Sequence, residues 1–125
     1  MDRLKVLLID DDPGCQLVVR TLSEMNGWDI TVRSNAIDGL ETFKQEQEKF
    51  ELVLMDWKMP VMDGLECTRQ IRALEKDMKV RTTIIGITAH AFTEHRQQCL
   101  AAGMDDYLSK PFTMDEFYSK VQQWV

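Results

Sequence analysis

The chain has few of the residues on which specialised architectures depend. Its 125 residues include only three cysteines, Cys15, Cys67 and Cys99, far apart and odd in number, with no CxxC pair. That excludes a disulfide framework and a thiolate zinc site, and the three are read as reduced, partly buried thiols. No apolar run approaches the ~18 residues of a membrane span. The N-terminal apolar run is too short for a signal peptide and acids follow it directly, so the chain is placed in the cytosol, that is, as cytoplasmic. Positive charge is also short. Fifteen Lys and Arg stand against 21 Asp and Glu, a net charge of −6 and a pI near 4.9. That argues against direct nucleic acid binding, which needs a basic face, and leaves a cationic protein surface or a metal ion as partners. The two histidines, His90 and His95, are five apart and lack metal-pair spacing. They are read as solvated or rim residues.

What is present is ordinary for a soluble globule: 44% hydrophobic and 29% charged residues, enough for one core and too few for two. One domain over 1–125 is expected. Short apolar runs alternate with amphipathic stretches. The runs are Val6-Leu7-Leu8-Ile9, a weaker Ile30-Thr31-Val32 nearer an edge, Leu52-Val53-Leu54-Met55, Ile84-Ile85-Gly86-Ile87 and a short Tyr107-Leu108. Runs that are apolar at every position predict strands covered on both faces, as in a parallel sheet.

Between the runs lie capped helix patterns. Asp12-Pro13 opens the first, with Val18, Leu22 and Met25 expected on its inner face and Gly27 at its stop. Asn35 caps the second, with Leu40 and Phe43 inward. Cys67, Ile71 and Leu74 stripe the third, and the fourth runs through Cys99-Leu100 to Gly103. Thr113-x-x-Glu116 forms a capping box for the last, whose apolar face is expected to be Met114, Phe117, Tyr118, Val121, Trp124 and Val125. The stretch Glu75 to Thr83 reads as a weakly structured surface connector. The pattern is a five-fold βα alternation. It predicts an α/β, open, doubly wound parallel sheet with right-handed crossovers and a ligand site beyond the carboxyl ends of the strands.

The chemistry-bearing residues fall at those ends. Asp10, Asp11 and Asp12 close the first strand run, Asp56 the third, Thr88 the fourth and Lys110 the fifth. Each alone has a bland explanation: a cap, a solvated lysine, a hydroxyl satisfying backbone. Asp56 is followed by Trp57-Lys58-Met59-Pro60 and no immediate helix, so capping does not account for it. Clustered carboxylates repel, by about 4 kcal/mol per pair at ~4 Å and an effective dielectric of 20 before relaxation. A hard divalent cation such as Mg²⁺, or Mn²⁺ in its place, offsets that cost and prepares a phosphate site. A carboxylate can then act as nucleophile and become an acyl phosphate, with Lys110 and Thr88 bonding phosphoryl oxygens.

At these residues the sequence resembles the receiver domain of two-component response regulators. The signatures are Leu8-Ile9-Asp10-Asp11-Asp12, the segment from Met55-Asp56-Trp57-Lys58-Met59-Pro60 through Val61-Met62-Asp63-Gly64, Ile87-Thr88-Ala89, and Gly103-Met104-Asp105-Asp106-Tyr107-Leu108-Ser109-Lys110-Pro111-Phe112. The resemblance covers essentially the whole chain. The stretch from Thr88 to Lys110-Pro111 looks especially like receivers attached to hybrid histidine kinases. It implies a flavodoxin-like (βα)5 fold with strand order 2-1-3-4-5. It implies a phosphoacceptor at Asp56, metal ligation by Asp11, Asp56 and the Lys58 carbonyl, and a water-mediated role for Asp10. Thr88 and Lys110 would hold the phosphoryl group. Tyr107 would be an aromatic switch that moves inward as Thr88 engages phosphate, altering the face made by the fourth helix, fifth strand and fifth helix. A cis peptide at Lys110-Pro111 is also implied. The implied donor is a histidine kinase or a histidine phosphotransfer protein. The output partner is not named by the sequence, and the chain is expected to be a monomer or weak homodimer. Lys58 and His90 flank the reactive centre and are expected to tune phosphate lifetime by screening water.

Three other readings compete. A Mg²⁺-dependent phosphatase with an aspartate nucleophile would use similar residues, but it expects D-x-D followed by a Gly-Thr/Val pattern that is missing. It would also carry a cap domain that does not fit in 125 residues. A phosphorylation-independent pseudo-receiver needs a lesion in the acidic pocket, and none is found. A flavin-binding module needs a phosphate loop where Asp10-Asp11-Asp12 would repel phosphate.

Overall fold

The computed structural model describes residues 3–46, 50–78, 81–89 and 93–125. Strands and helices alternate as β1 (Lys5–Ile9), α1 (Pro13–Met25), β2 (Asp29–Arg33), α2 (Ala36–Gln45), β3 (Leu52–Asp56), α3 (Gly64–Met78), β4 (Thr83–Thr88), α4 (Thr93–Ala102), β5 (Asp106–Ser109) and α5 (Met114–Trp124). All pairings are parallel and the order is β2-β1-β3-β4-β5, as the resemblance implies. The fold is a flavodoxin-like α/β sheet. The weaker second apolar run is an edge strand, and the short fifth run is the other edge.

The every-position apolar runs follow from the period of two along a strand. Leu7, Ile9, Val53, Met55 and Ile84 point to one face, packing with Phe43 of α2, Ile71 of α3 and Cys99 of α4. Val6, Leu8, Leu52, Leu54, Ile85 and Ile87 point to the other, against Val19 and Leu22 of α1 and Phe117 and Val121 of α5. Each residue of the three central apolar runs is therefore buried whichever way it faces.

The predicted caps are in place. Asp12 accepts the Gly14 N–H at 2.9 Å, Asn35 accepts that of Asp38 at 2.8 Å, and Thr113 and Glu116 complete their box. Gly27 ends α1 with φ of +70°, the left-handed conformation that favours glycine.

Two helices differ from the sequence pattern. On α1 the buried stripe is Cys15, Val19, Leu22 and Ser23, while Val18 is 46% and Met25 67% exposed. Val18 and Val19 are adjacent, so only one can face the sheet, and the i, i+4, i+7 series from Cys15 selects Val19. On α5 only Phe117 and Val121 are buried; Met114, Trp124 and Val125 are exposed, and Tyr118 is half-buried.

The stretch from Glu75 is not a surface connector. It continues α3 to Met78, and Glu75 is buried. The Glu75 carboxylate bonds Arg72 at 2.7 Å and accepts the Thr82 N–H. Arg72 also donates to Gly103 O at 2.8 Å and Thr82 O at 2.7 Å, and pairs with Asp105 at 2.9 Å. Asp105 in turn takes Arg81 at 2.6 Å and the Ile84 N–H at 2.9 Å. This polar knot fastens α3, the start of β4 and the α4–β5 turn together, at the opposite end of the strands from the acids.

Candidate functional site

The carboxyl ends of the central strands carry the site. β1 delivers Asp10, with no solvent exposure, and the adjacent Asp11, which is exposed. β3 ends on Asp56, which is buried. One carboxylate oxygen from each of these three lies within 4.8 Å of the others. Lys110, after β5, reaches across with its ammonium 3.1 Å from Asp10 Oδ2, 3.5 Å from Asp56 Oδ1 and 4.0 Å from Asp12 Oδ2. The loop that carries it is fixed by the Lys110 N–H to Thr88 O bond of 2.7 Å and by a cis Lys110-Pro111 peptide, as the resemblance implies. The Asp12 N–H donates to Asp10 Oδ1 at 2.9 Å, and Gln16 donates to Asp10 O at 2.7 Å. These bonds hold the β1–α1 turn around the acids.

Electrostatics follow from this crowding. Burial, and next the Asp10 charge, push the Asp56 carboxyl up from its ordinary value, with Lys110 offsetting part of the rise. The Lys110 ammonium loses hydration by burial. Its bond to Asp10 and the surrounding negative charge outweigh that and hold its pKa above the ordinary value. Cys15 lies beside Asp10, and its thiol is pushed up by burial first and by Asp10 second. It is therefore a neutral wall of the site rather than a thiolate. All three cysteines are free and buried.

Gly64 is a requirement of the site that the motif carries without explaining. A Cβ there would stand 2.2 Å from Asp56 O, so a side chain would displace the strand end that presents the carboxylate. The Gly64 N–H donates to Trp57 O at 2.8 Å, and the Trp57 N–H donates to Ile87 O at 3.1 Å. Asp56 is thus followed by a residue pinned on both sides.

The remaining expected residues are placed as follows. Thr88 is buried at the end of β4. Tyr107 is half-buried on β5, with the Arg96 guanidinium 5.7 Å from its ring centroid. Lys58 is exposed, and its ammonium lies 4.4 Å from the Trp57 ring centroid. His90 lies outside the described residues. His95 is half-buried, and its ring meets that of Trp57 with centroids 5.0 Å apart. Sequence reasoning missed this contact because it joins two elements that no spacing relates. Among the described residues no helix is long and apolar enough to cross a membrane.

Chemically, three oxygen donors without nitrogen or sulfur suit a hard cation. Asp10 and Asp11 are consecutive and meet Asp56 from a neighbouring strand, so the donor set fits Mg²⁺. A buried carboxylate beside a fixed ammonium also suits capture of an anionic phosphoryl group.

Comparisons agree with this arrangement. The family model described as "Response regulator receiver domain" matches residues 6–122. The sensor protein GacS of Pseudomonas syringae pv. syringae is 37% identical over 122 residues, spanning 97% of this chain and 13% of GacS. The hybrid signal transduction histidine kinase I of Dictyostelium discoideum is 32% identical over 124 residues, again 97% of this chain and 7% of that protein. The chain therefore spans a small part of the length of these curated relatives. The receiver domain of the sensor histidine kinase PA1611 from Pseudomonas aeruginosa PAO1 was solved with a magnesium ion coordinated in its active-site cleft. It is 35% identical, covers 98% of each chain and superposes with a TM-score of 0.86. With the acidic cluster at the strand ends and the match over nearly its whole length, the chain belongs to the response regulator receiver domain family.

Proposed function

We propose that the protein is a phosphoacceptor of a two-component phosphorelay and that Asp56 receives the phosphoryl group. The observation that carries the reading is the Lys110 ammonium set between the buried Asp10 and Asp56 carboxylates, within a group of three acids. Asp11, Asp56 and the Lys58 carbonyl would hold Mg²⁺, or Mn²⁺, with Asp10 acting through a bound water. When bound, the ion draws charge from phosphoryl oxygens and removes the mutual repulsion of the acids.

The chain's own residues do the rest. An Asp56 oxygen attacks phosphorus in line with the departing nitrogen of a phosphohistidine. The P–N bond breaks, the imidazole leaves with its electron pair, and an acyl phosphate forms on Asp56. Lys110 balances the negative charge gathering on the phosphoryl oxygens, and Thr88 donates its hydroxyl to one of them. Tyr107 then moves inward, and the α4, β5 and α5 face changes its population between two packings. The donor is a histidine kinase or a histidine phosphotransfer protein, in a cytoplasmic setting. The domain is not a stand-alone turnover enzyme; it catalyses its own phosphorylation and dephosphorylation.

Incubation with acetyl phosphate and Mg²⁺, followed by intact-mass measurement, tests the reading. Wild type is expected to gain one phosphoryl group and Asp56→Asn none. Labelling of Asp56→Asn, or steady hydrolysis of small phosphate esters without a labelled protein, would overturn it.

A further inference from the structure

Helix α4 is held in an unusual way. Among its described side chains only Cys99 and Ala102 are buried, both near its C-terminal end. Nearer its N-terminal end, two consecutive residues rest on aromatic rings, one just after β3 and one within β5. His95 meets Trp57 at an interplanar angle of 74°, and Arg96 lies against Tyr107. Tyr107 already has a part in the proposed switch. Trp57 has none, yet it directly follows Asp56, is only 4% exposed, and has its backbone fixed by Ile87 and Gly64. Its indole carries the Lys58 ammonium as well as the His95 imidazole.

We propose that Trp57 and His95 form a second line of communication from the acidic pocket to α4, separate from Thr88 and Tyr107, with Trp57 as the positioning residue. The proposal rests on the reading of Asp56 given above. Lys58 is attached at both ends: its carbonyl belongs to the metal donor set of that reading, and its ammonium lies on the indole. New negative charge at Asp56 attracts that ammonium. Drawing it off the ring changes the electrostatics of the indole that His95 also contacts. Because the Trp57 backbone is pinned, the response is confined to ring orientation and to whatever leans on the ring. Ring contacts of this kind each weigh on an equilibrium by a few-fold. A helix end that rests on two of them among the described residues responds to the loss of one.

The test loads the full chain with Mg²⁺ and beryllium fluoride and follows backbone amides by NMR, with the bound-fluoride ¹⁹F signal as a separate readout of Asp56. In wild type the amides of Arg96 and Gln97 in α4, and of Leu108 in β5, are expected to shift on loading. In His95→Ala the α4 shifts are expected to fall at least two-fold while the Leu108 shift and the ¹⁹F signal persist. His95→Phe, which restores a ring, is expected to restore them. Trp57→Leu, which keeps bulk without a ring, is expected to behave as His95→Ala. Full α4 shifts in His95→Ala, or equal loss at α4 and Leu108, would overturn the proposal with the Asp56 reading intact. Absence of a bound ¹⁹F signal in wild type would overturn both.

Discussion

Side chains at two positions work against the stability of the fold. Asp11 adds a third carboxylate to a pocket that already confines two, and nothing in the packing requires it. Without Mg²⁺, Asp11→Asn is expected to melt a few degrees higher than wild type, because a like charge has been removed. The second position is Val61, which follows Met59-Pro60. It has φ of +73° and is 94% exposed. A β-branched residue there is strained, and its side chain buries nothing in return. Val61→Asn is expected to raise stability by about 1 kcal/mol and Tm by about 4 °C. A urea midpoint that falls instead would show that the backbone tolerates valine without strain.

At the level of elements, α5 is tied to β5 by one acid. Asp106 accepts the Trp124 Nε1–H at 3.0 Å and the Tyr107 N–H at 2.8 Å, and meets the Lys120 ammonium at 3.1 Å. Burial alone would raise its pKa, but these three partners together hold it below the ordinary value of 3.8. The sign follows from linkage. The unfolded chain takes up a proton first as pH falls, so the stabilisation is complete above about pH 5, begins to fall near the unfolded value and is lost as pH drops through the lower folded value. The stability gap between wild type and Asp106→Asn is therefore expected to be widest near neutrality. It should narrow in denaturant titrations carried down to about pH 3.

This tie also explains why Trp124 was misread from sequence. An amphipathic pattern records which residues are apolar, not that an indole N–H can fix the ring at the surface. Strand runs were legible because burial on both faces leaves no polar position. The β2 and β5 edges were legible because their runs were weaker. Glu75 was illegible because its partners, Thr82 and Arg72, come from beyond the helix end and from one turn back. Charge in a sequence looks solvated until such partners are known. Asp10, Asp11, Asp56 and Lys110 were recognisable because the sheet rule fixes where strand ends meet. The contact of His95 with Trp57 depends on how α4 meets the residue that follows β3, which no local spacing encodes.

Taken whole, the molecule is a sheet between two cores, with like charges crowded at one end of the strands and matched charges at the other. Mg²⁺ is expected to raise the Tm of wild type progressively with concentration, as binding to the native state alone requires. Asp11→Asn is expected to lose most of that rise while starting from the higher metal-free value. The same measurements with Ca²⁺-free buffer and chelator define the baseline. A metal-independent Tm in wild type would remove the acids from any role as ligands.

The knot of Arg72, Glu75, Arg81 and Asp105 has a further consequence. It clamps one rim of the sheet with satisfied bonds, whereas the opposite rim stores its own repulsion. Thermal opening then has a preferred doorway. Hydrogen–deuterium exchange is expected to reach amides beside the acids sooner than those at the foot of β4. On the proposed reading the acidic rim is also the one a phosphodonor would enter, so a visitor there would leave the clamped rim undisturbed.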